Sequence, residues 1–335
     1  MAVPSFGAAT TMPSEENDEP AAAGGGKNMV HNKQGIDMLH GRIWTKVLRF
    51  ALPVAATGIL EQLFNASGIM IVGNFSQSDG TAAVAAVGSN APVTGLILNL
   101  FIGIALGANV VIANAIGRGS REAVRNAVHT SIVTALIGGV IVAIIGELLA
   151  GPLLGMLNVT ADVFPLALAY LRIYLIGMPV ILLYNFETAI FRSIGDTQAP
   201  LAVLAISGVL NVTVGLIFVV LFHWGVSGVA TATVIANVVS SMILLYRLVH
   251  TDAAIHVDLR ELGIDWFTLR QILRIGLPAG VQSAVFAVAN IIIQAAINSL
   301  GTVVMAASSA AFNIEIIAYY VLNSVSYTHL RAHET

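Results

Sequence analysis

The feature that most constrains this chain is a regular alternation from about residue 47 onward: apolar runs of about twenty residues separated by short polar breaks. A helix of that length crosses about 30 Å of hydrocarbon. Eight such runs stand at Val47 to Val72, Val84 to Ala113, Ala127 to Ala150, Val163 to Phe186, Leu201 to Phe222, Val226 to Val249, Ile272 to Ser299 and Val303 to Val325. With 15 Lys and Arg and 18 Asp and Glu among 335 residues, the chain cannot coat a water-facing globule of this size. The fold class is therefore all-α and polytopic, and a soluble enzyme is excluded. Zero cysteines remove disulfides, thiolate metal sites and cysteine nucleophiles, and a net charge of −3 gives no footing for nucleic acid. The eight histidines are scattered without ligand spacing, and Gly117-Arg-Gly119 lacks the lysine and strand context of a phosphate loop.

Residues 1–45 are polar and rich in Gly, Ala, Pro and acid, and are expected to be a disordered tail. No compact apolar segment with a cleavage site precedes Trp44, so the first span is expected to direct insertion with the N-terminus cytoplasmic. The basic residues agree. Arg118, Arg121 and Arg125 lie between spans two and three, Arg192 follows span four, and Arg247, Arg260, Arg270 and Arg274 surround the connection from six to seven. The segments Gly73 to Thr81, Gly151 to Asp162, His223 to Gly225 and Leu300 to Thr302 contain no Lys or Arg, which puts them outside.

An internal repeat sets the architecture. Leu48-Arg49 and Leu52-Pro53 recur as Leu273-Arg274 and Leu277-Pro278, and Asn65 recurs as Asn290, at one offset. After a short deletion Gly80-Thr81 and Ala85-Ala86 recur as Gly301-Thr302 and Ala306-Ala307. Six spans thus make one unit, and an even number of crossings sets both copies the same way up. The expected organisation is a first six-helix lobe over residues 46–250, a cytoplasmic linker over 251–270, and two helices of a second lobe over 271–325. Residues 326–335 resemble the translation of a sequencing adapter and are expected to be non-native. The chain reads as a truncated piece of a twelve-helix parent, and the piece alone is expected not to perform coupled export.

Two acids lie near mid-span, where an ionisable group is a functional candidate by default: Glu61 in span one and Glu315 in span eight. Beside Glu61 stand Gln62 and Asn65; a purely structural glutamate would bond neighbouring backbone or Gln62. For Glu315 the alternative is a bond to Asn313 or Tyr319. Glu147 and Glu187 fall near span ends and read as interfacial. Arg172 inside span four would meet an anion or snorkel. Tyr170, Tyr174, Tyr184 and Phe186 would line an aromatic route for flat cations or form a belt. Gly103-Ile-Ala-Leu-Gly107 permits close helix approach, and Pro53 and Pro278 permit bending.

Several segments in this order resemble the multidrug and toxic compound extrusion (MATE) family. They are Phe50-Ala-Leu-Pro53 with Glu61-Gln-Leu-Phe-Asn65; Gly107-Ala-Asn-Val-Val-Ile-Ala-Asn-Ala-Ile-Gly117; Tyr170-Leu-Arg-Ile-Tyr174; Phe191-Arg-Ser-Ile-Gly-Asp196 with Pro200; Gly225-Val-Ser-Gly-Val-Ala-Thr-Ala-Thr233; and Ile275-Gly-Leu-Pro278. The resemblance implies a twelve-helix antiporter of two lobes in a bacterial inner membrane. It would export drugs or other amphipathic and cationic compounds in exchange for protons or sodium, as a monomer, with no cofactor and no nucleic-acid partner. A lipid-linked oligosaccharide flippase of a related two-lobe fold, or a non-transporting scaffold, is the alternative. The family's first-lobe site has an aspartate three residues after an Asn in span one and another four residues after an Asn in span five. Here those positions are Gly68 after Asn65 and Gly215 after Asn211, while the matching threonine is kept as Thr233. The span-seven glutamate of the sodium-coupled branch is replaced by Phe286. Glu61 precedes Gly68 by seven residues, within about 20° on one helix face and about 10 Å deeper, so it is the candidate for a relocated proton carrier.

Overall fold

The structure, a computed structural model, describes residues 43–76, 80–312 and 315. The expected disordered tail up to residue 42, most of the eighth span and residues 326–335 lie outside the described residues. Within the described residues the chain is helical and contains no strand. The helices are α1 (Ile43–Phe75), α2 (Gly80–Gly117), α3 (Arg121–Met156), α4 (Phe164–Ile176), α5 (Met178–Ser193), α6 (Gln198–Leu216), α7 (Gly225–Val249), α8 (Trp266–Asn298) and α9 (Thr302–Phe312). Six of them are long and apolar enough to cross a membrane, and α4 with α5 forms a further span bent by 54°. Seven of the eight apolar runs thus became spans, with α2 and α3 outreaching their expected limits at both ends, and of the eighth run the described residues show only α9 and residue 315.

Span four is the correction. The sequence reads as one straight helix from Val163 to Phe186, but the helix breaks at Gly177 and resumes to Ser193. The cause is local. Pro179 has no N–H to continue the ladder and its ring excludes a carbonyl one turn back, so it sits in the first turn of a new helix. A Cβ at Gly177 would fall against Val234, so the corner packs on α7. A second irregularity follows α6, where Ile217–Leu221 forms a π-helical turn before the chain reverses.

Two apolar cores hold the bundle, one toward each end. The first joins Ile104 to Ala115 of α2, Val124 to Ala135 of α3, α5, the start of α6 and the end of α7. The second joins α1, the start of α2, the end of α3, α4 and the start of α7. Buried amides tie the helices across these cores. Asn90 Nδ2 donates to Ala167 O at 3.0 Å and Asn109 Nδ2 to Ala189 O at 3.0 Å.

α8 matches α1 at 33 residues, with a proline inside each. It runs antiparallel to α2 in the most extensive helix pair among the described residues. Gly103 and Gly107 of α2 face Gly276 and Gly280 of α8 so closely that an added Cβ at any of the four would strike backbone atoms. The Gly103-x-x-x-Gly107 spacing, legible in sequence, finds its mate in Gly276-x-x-x-Gly280.

The segment between α7 and α8 is not a loose tether. Ala253, Ile255 and Val257 are buried in the first core. The Asp258 N–H donates to His129 Nε2 at 3.2 Å and the Asp265 N–H to Thr130 Oγ1 at 3.0 Å, both on α3. Asp265 then caps α8 by accepting from Thr268 N–H at 3.1 Å. An ion pair joins Arg125 to Glu261 at 2.9 Å, with side chains 53% and 54% exposed. These contacts differ in worth. Loss of His129 as acceptor (His129→Phe) is expected to cost about 1 kcal/mol, the net worth of an ordinary part-buried hydrogen bond. Glu261→Ala is expected to cost under about 1 kcal/mol, because water already screens that pair. Thermal unfolding and proteolysis of residues 251–265 check both.

Candidate coupling site

α1 carries Glu61 and Gln62 side by side and Asn65 one turn later. Glu61 is half-buried, Gln62 likewise, and Asn65 is exposed. Neither Gln62 nor the helix backbone bonds the Glu61 carboxylate among the described residues, so the structural alternative for this glutamate has no partner in view. The bend at Gly177 supplies its surroundings instead. Tyr174, just before the corner, and Tyr184, two turns after it, both lie within the field of the Glu61 carboxylate. Arg192, in the last turn of α5, is the charge that acts on Glu61 from the arginine-rich end. Tyr170 stacks on Tyr174 with ring centroids 6.1 Å apart and planes at 13°. Two tyrosines and one arginine thus gather about Glu61, a grouping the broken span produces.

The polar frame around the vacant family positions assembles differently. Gly68 of α1 faces α7, where an added Cβ would stand 3.0 Å from Val229 Cγ1. Gly215 of α6 faces Ile71 at 3.6 Å and Ala232 at 3.7 Å by the same measure. α1, α6 and α7 therefore meet with apolar atoms where the resemblance would put acids. Asn211 is half-buried on α6 one turn before Gly215, and Thr233 on α7 spends its hydroxyl on Val229 O of its own helix at 3.0 Å. The two glycine replacements are mutually consistent.

Arg172 does not point to this site. Its Nε lies 3.6 Å from Glu147 Oε2, an ion pair between α4 and α3 with side chains 53% and 34% exposed. Glu315 is exposed, and its expected neighbours Asn313 and Tyr319 lie outside the described residues.

Glu187 overturns its expectation. Instead of lying at an interface it is 0% exposed, inside α5 among the first core. The straight-helix reading placed it beyond the span end; the bend carries α5 onward and drives that position between α2, α3 and α7. The signal was Pro179 directly after Gly177-Met178.

At the arginine-free end, the α8–α9 turn is stitched to the α3–α4 turn. Thr302 Oγ1 donates to Asp162 Oδ2 at 2.7 Å and lies 3.2 Å from Thr160 Oγ1, and Asn298 Nδ2 donates to Leu157 O at 2.8 Å. The Thr160 and Thr302 hydroxyls hold the Asp162 carboxyl below its ordinary value of 3.8. Nothing in the sequence brings residues 160 and 302 together. At the opposite end, an open crevice of about 370 Å³ lies between the α2–α3 turn and the start of α8, lined by Asn114, Arg118, Asn126, Asp265 and Gln271.

With the bent span, the glycine seam and the half-buried acid in place, comparison with known proteins identifies the class. The MatE family model matches residues 53–217. A solved structure described as the inward-facing conformation of a multidrug resistance MATE family transporter superposes with a TM-score of 0.69 at 26% identity, over 86% of this chain and 61% of that one. The chain belongs to the MATE family. Among relatives of this MATE chain, the probable multidrug resistance protein YoeA of Bacillus subtilis is 28% identical over 293 residues, 85% of this chain and 62% of that protein. A protein described as an FAD transporter of Shewanella oneidensis is 24% identical over 290 residues, 82% of this chain and 63% of that protein. The MATE chain therefore spans about three fifths of the length of the curated relatives it matches. An all-α fold of membrane-spanning helices follows from these likenesses.

Proposed function

We propose that the protein exports amphipathic or cationic small molecules across a bacterial inner membrane by alternating access, in exchange for protons or sodium, and that Glu61 is its coupling carboxylate. Under this reading α1 to α7 form the first lobe, residues 251–265 strap it to the second, and α8 and α9 begin the second. The arginine-rich end, including the N-terminus, faces the cytoplasm. The protein works as a monomeric transporter and not as an enzyme, without a cofactor.

The observation that carries the proposal is Glu61 itself. An acid half-buried midway along a membrane helix, with no bonded partner and with Tyr174, Tyr184 and Arg192 around it, is costly to keep unless its charge is used. The tyrosine rings would offer flat cations π faces beside that charge. Asn65, Asn211 and Thr233 are the remaining polar residues on the same three helices and would contribute amide and hydroxyl contacts to cation or substrate. Glu315 is assigned the corresponding role on the second lobe.

The test is pH-driven efflux of a fluorescent organic cation from vesicles carrying the protein expressed from its complete reading frame. Glu61→Gln keeps size and hydrogen-bonding capacity but removes the titrating proton, and is expected to lower gradient-driven efflux about 10²-fold, the scale of a positioned proton-transfer group. Unchanged efflux in that variant removes the assignment.

A further inference from the structure

The crevice at the arginine-rich end has no part in the reading above, and its place follows from where the glycine seam stops. Gly103 and Gly107 of α2 let the α8 backbone touch at Gly276 and Gly280. One turn farther on, the same two stripes carry Val111 and Ile272, and side chains of that size hold the helices apart. The start of α3 closes the third side. The resulting space of about 370 Å³ falls within the about 300–1,000 Å³ of small-molecule sites.

Its lining is graded along the helix axes. Deepest are the apolar Val111 and Ile275, and nearer the helix ends come the amides of Asn114, Asn126 and Gln271. At the mouth stand Arg118 of α2, Glu122 in the first turn of α3, and Asp265, the cap of α8. Neither Arg118 nor Glu122 is paired with another of the described residues, and the three amide side chains are likewise unbonded among them. Trp266 and Phe267, in the first turn of α8, are 76% and 71% exposed. Exposed aromatic rings at the end of a spanning helix mark the level of lipid headgroups. Ile275 is exposed as well and continues the surface from there toward hydrocarbon.

A ligand that fits this gradient is amphipathic, enters from the headgroup layer and answers one guanidinium and two carboxylates. An anionic lipid would answer Arg118 and oppose both carboxylates. A quaternary ammonium headgroup has no N–H for the carboxylates and amide oxygens to accept. A phosphodiester that carries a primary ammonium answers all of them. We propose that the crevice binds a phospholipid of the ethanolamine type, with its phosphate on Arg118, its ammonium between Glu122 and Asp265, and the start of an acyl chain along Val111, Ile275 and Phe267. The guanidinium fork donates two parallel N–H bonds to the phosphate, and the ammonium donates to the two carboxylates and to the amide oxygens below them. The lipid thereby bridges both units of the sequence repeat, α2 and α3 from the first and α8 from the second, and stabilises their packing at this end. None of this rests on the reading of Glu61.

Native mass spectrometry of the protein expressed from its complete reading frame tests this, with phosphatidylethanolamine, phosphatidylcholine and phosphatidylglycerol of the same acyl chains offered in equal amounts. The ethanolamine lipid is expected to be retained about 10-fold more tightly than the other two, the scale of one charge-assisted hydrogen bond. Glu122→Gln is expected to remove most of the preference over phosphatidylcholine, and Arg118→Ala to lower retention of all three about 10-fold. Arg121→Ala, an exposed charge outside the lining, is the control and is expected to change neither. All three substituted side chains are exposed, so the packed cores stay intact. Equal retention of the three lipids by the parent, or equal losses in Arg118→Ala and Arg121→Ala, overturns the site in favour of general surface charge. Retention of no lipid overturns it in favour of another part of the complete protein filling the crevice. Displacement by soluble phosphoethanolamine at the lipid's own concentration overturns the lipid as occupant in favour of the free headgroup. No readout uses efflux, so failure here is separable from failure of the transport reading.

Discussion

Gly276→Val is expected to detach α8 from α2 and lower the stability of the chain by about 3 kcal/mol or more, the upper range of overpacking costs. A Cβ at residue 276 would stand 2.6 Å from Ile104 Cα and 2.7 Å from Gly103 O, and one at residue 280 would stand 2.5 Å from Leu100 O. These neighbours are backbone, so no rotamer change makes room. In hydrocarbon, helices associate through close packing and not through exclusion of water, so parting the backbones removes the force that joins them. Gly95→Val on the same α2 is the control. Nothing lies within 4 Å of an added Cβ there, and the change is expected to stay within about 0.5 kcal/mol. Thermal melting and proteolytic release of α8 measure the difference, and equal melting of the two variants would contradict the packing argument.

The second large effect is expected at the other end. Joining Thr160→Cys to Thr302→Cys should arrest export completely when oxidised and restore it on reduction. The two hydroxyl oxygens, which mark where the sulfurs would stand, are 3.2 Å apart, a short adjustment from the about 2.05 Å of a disulfide. Residues 1–335 contain no cysteine to confuse the result. Under alternating access the turns must part once per cycle. Mild acid is not expected to part them. The folded-state value of Asp162 lies below its ordinary 3.8, so its contribution to the latch is complete above that value and is lost only as pH falls through the lower one. Thiol labelling of the single Thr302→Cys variant, once corrected for the thiolate fraction at each pH, should accordingly show unchanged accessibility from about pH 8 to about pH 5. Full cross-linking with unimpaired efflux would refute the gate.

Much of this was legible in the chain because apolar length is a strong signal. A run such as Val226 to Val249 has few alternatives to a spanning helix, and α7 occupies Gly225–Val249. The half-buried acid at Glu61 and the small-residue spacing at Gly103 were legible for the same reason, being local departures from an apolar background. What failed was anything decided by a bend or by pairing between distant turns. Glu187 was placed at a span end because a straight helix was assumed through Pro179, and its burial depends on a 54° corner that hydropathy does not record. Asn90, Ser241 and the Thr160–Thr302 contact are ordinary polar residues in sequence, and only the third dimension distinguishes them. Glu61 was readable as an acid, but its tyrosine neighbours converge on it from the two halves of a broken helix.

The close meeting at Gly68 constrains how this lineage can change. Val229 already occupies the room that a side chain at residue 68 would need. A side chain at residue 68 would need Val229 to give by a few tenths of an ångström, so an acid there would carry a packing cost beside the cost of its charge. The crossing is fitted to apolar atoms on both sides, and the charge on this helix stands two turns earlier, at Glu61.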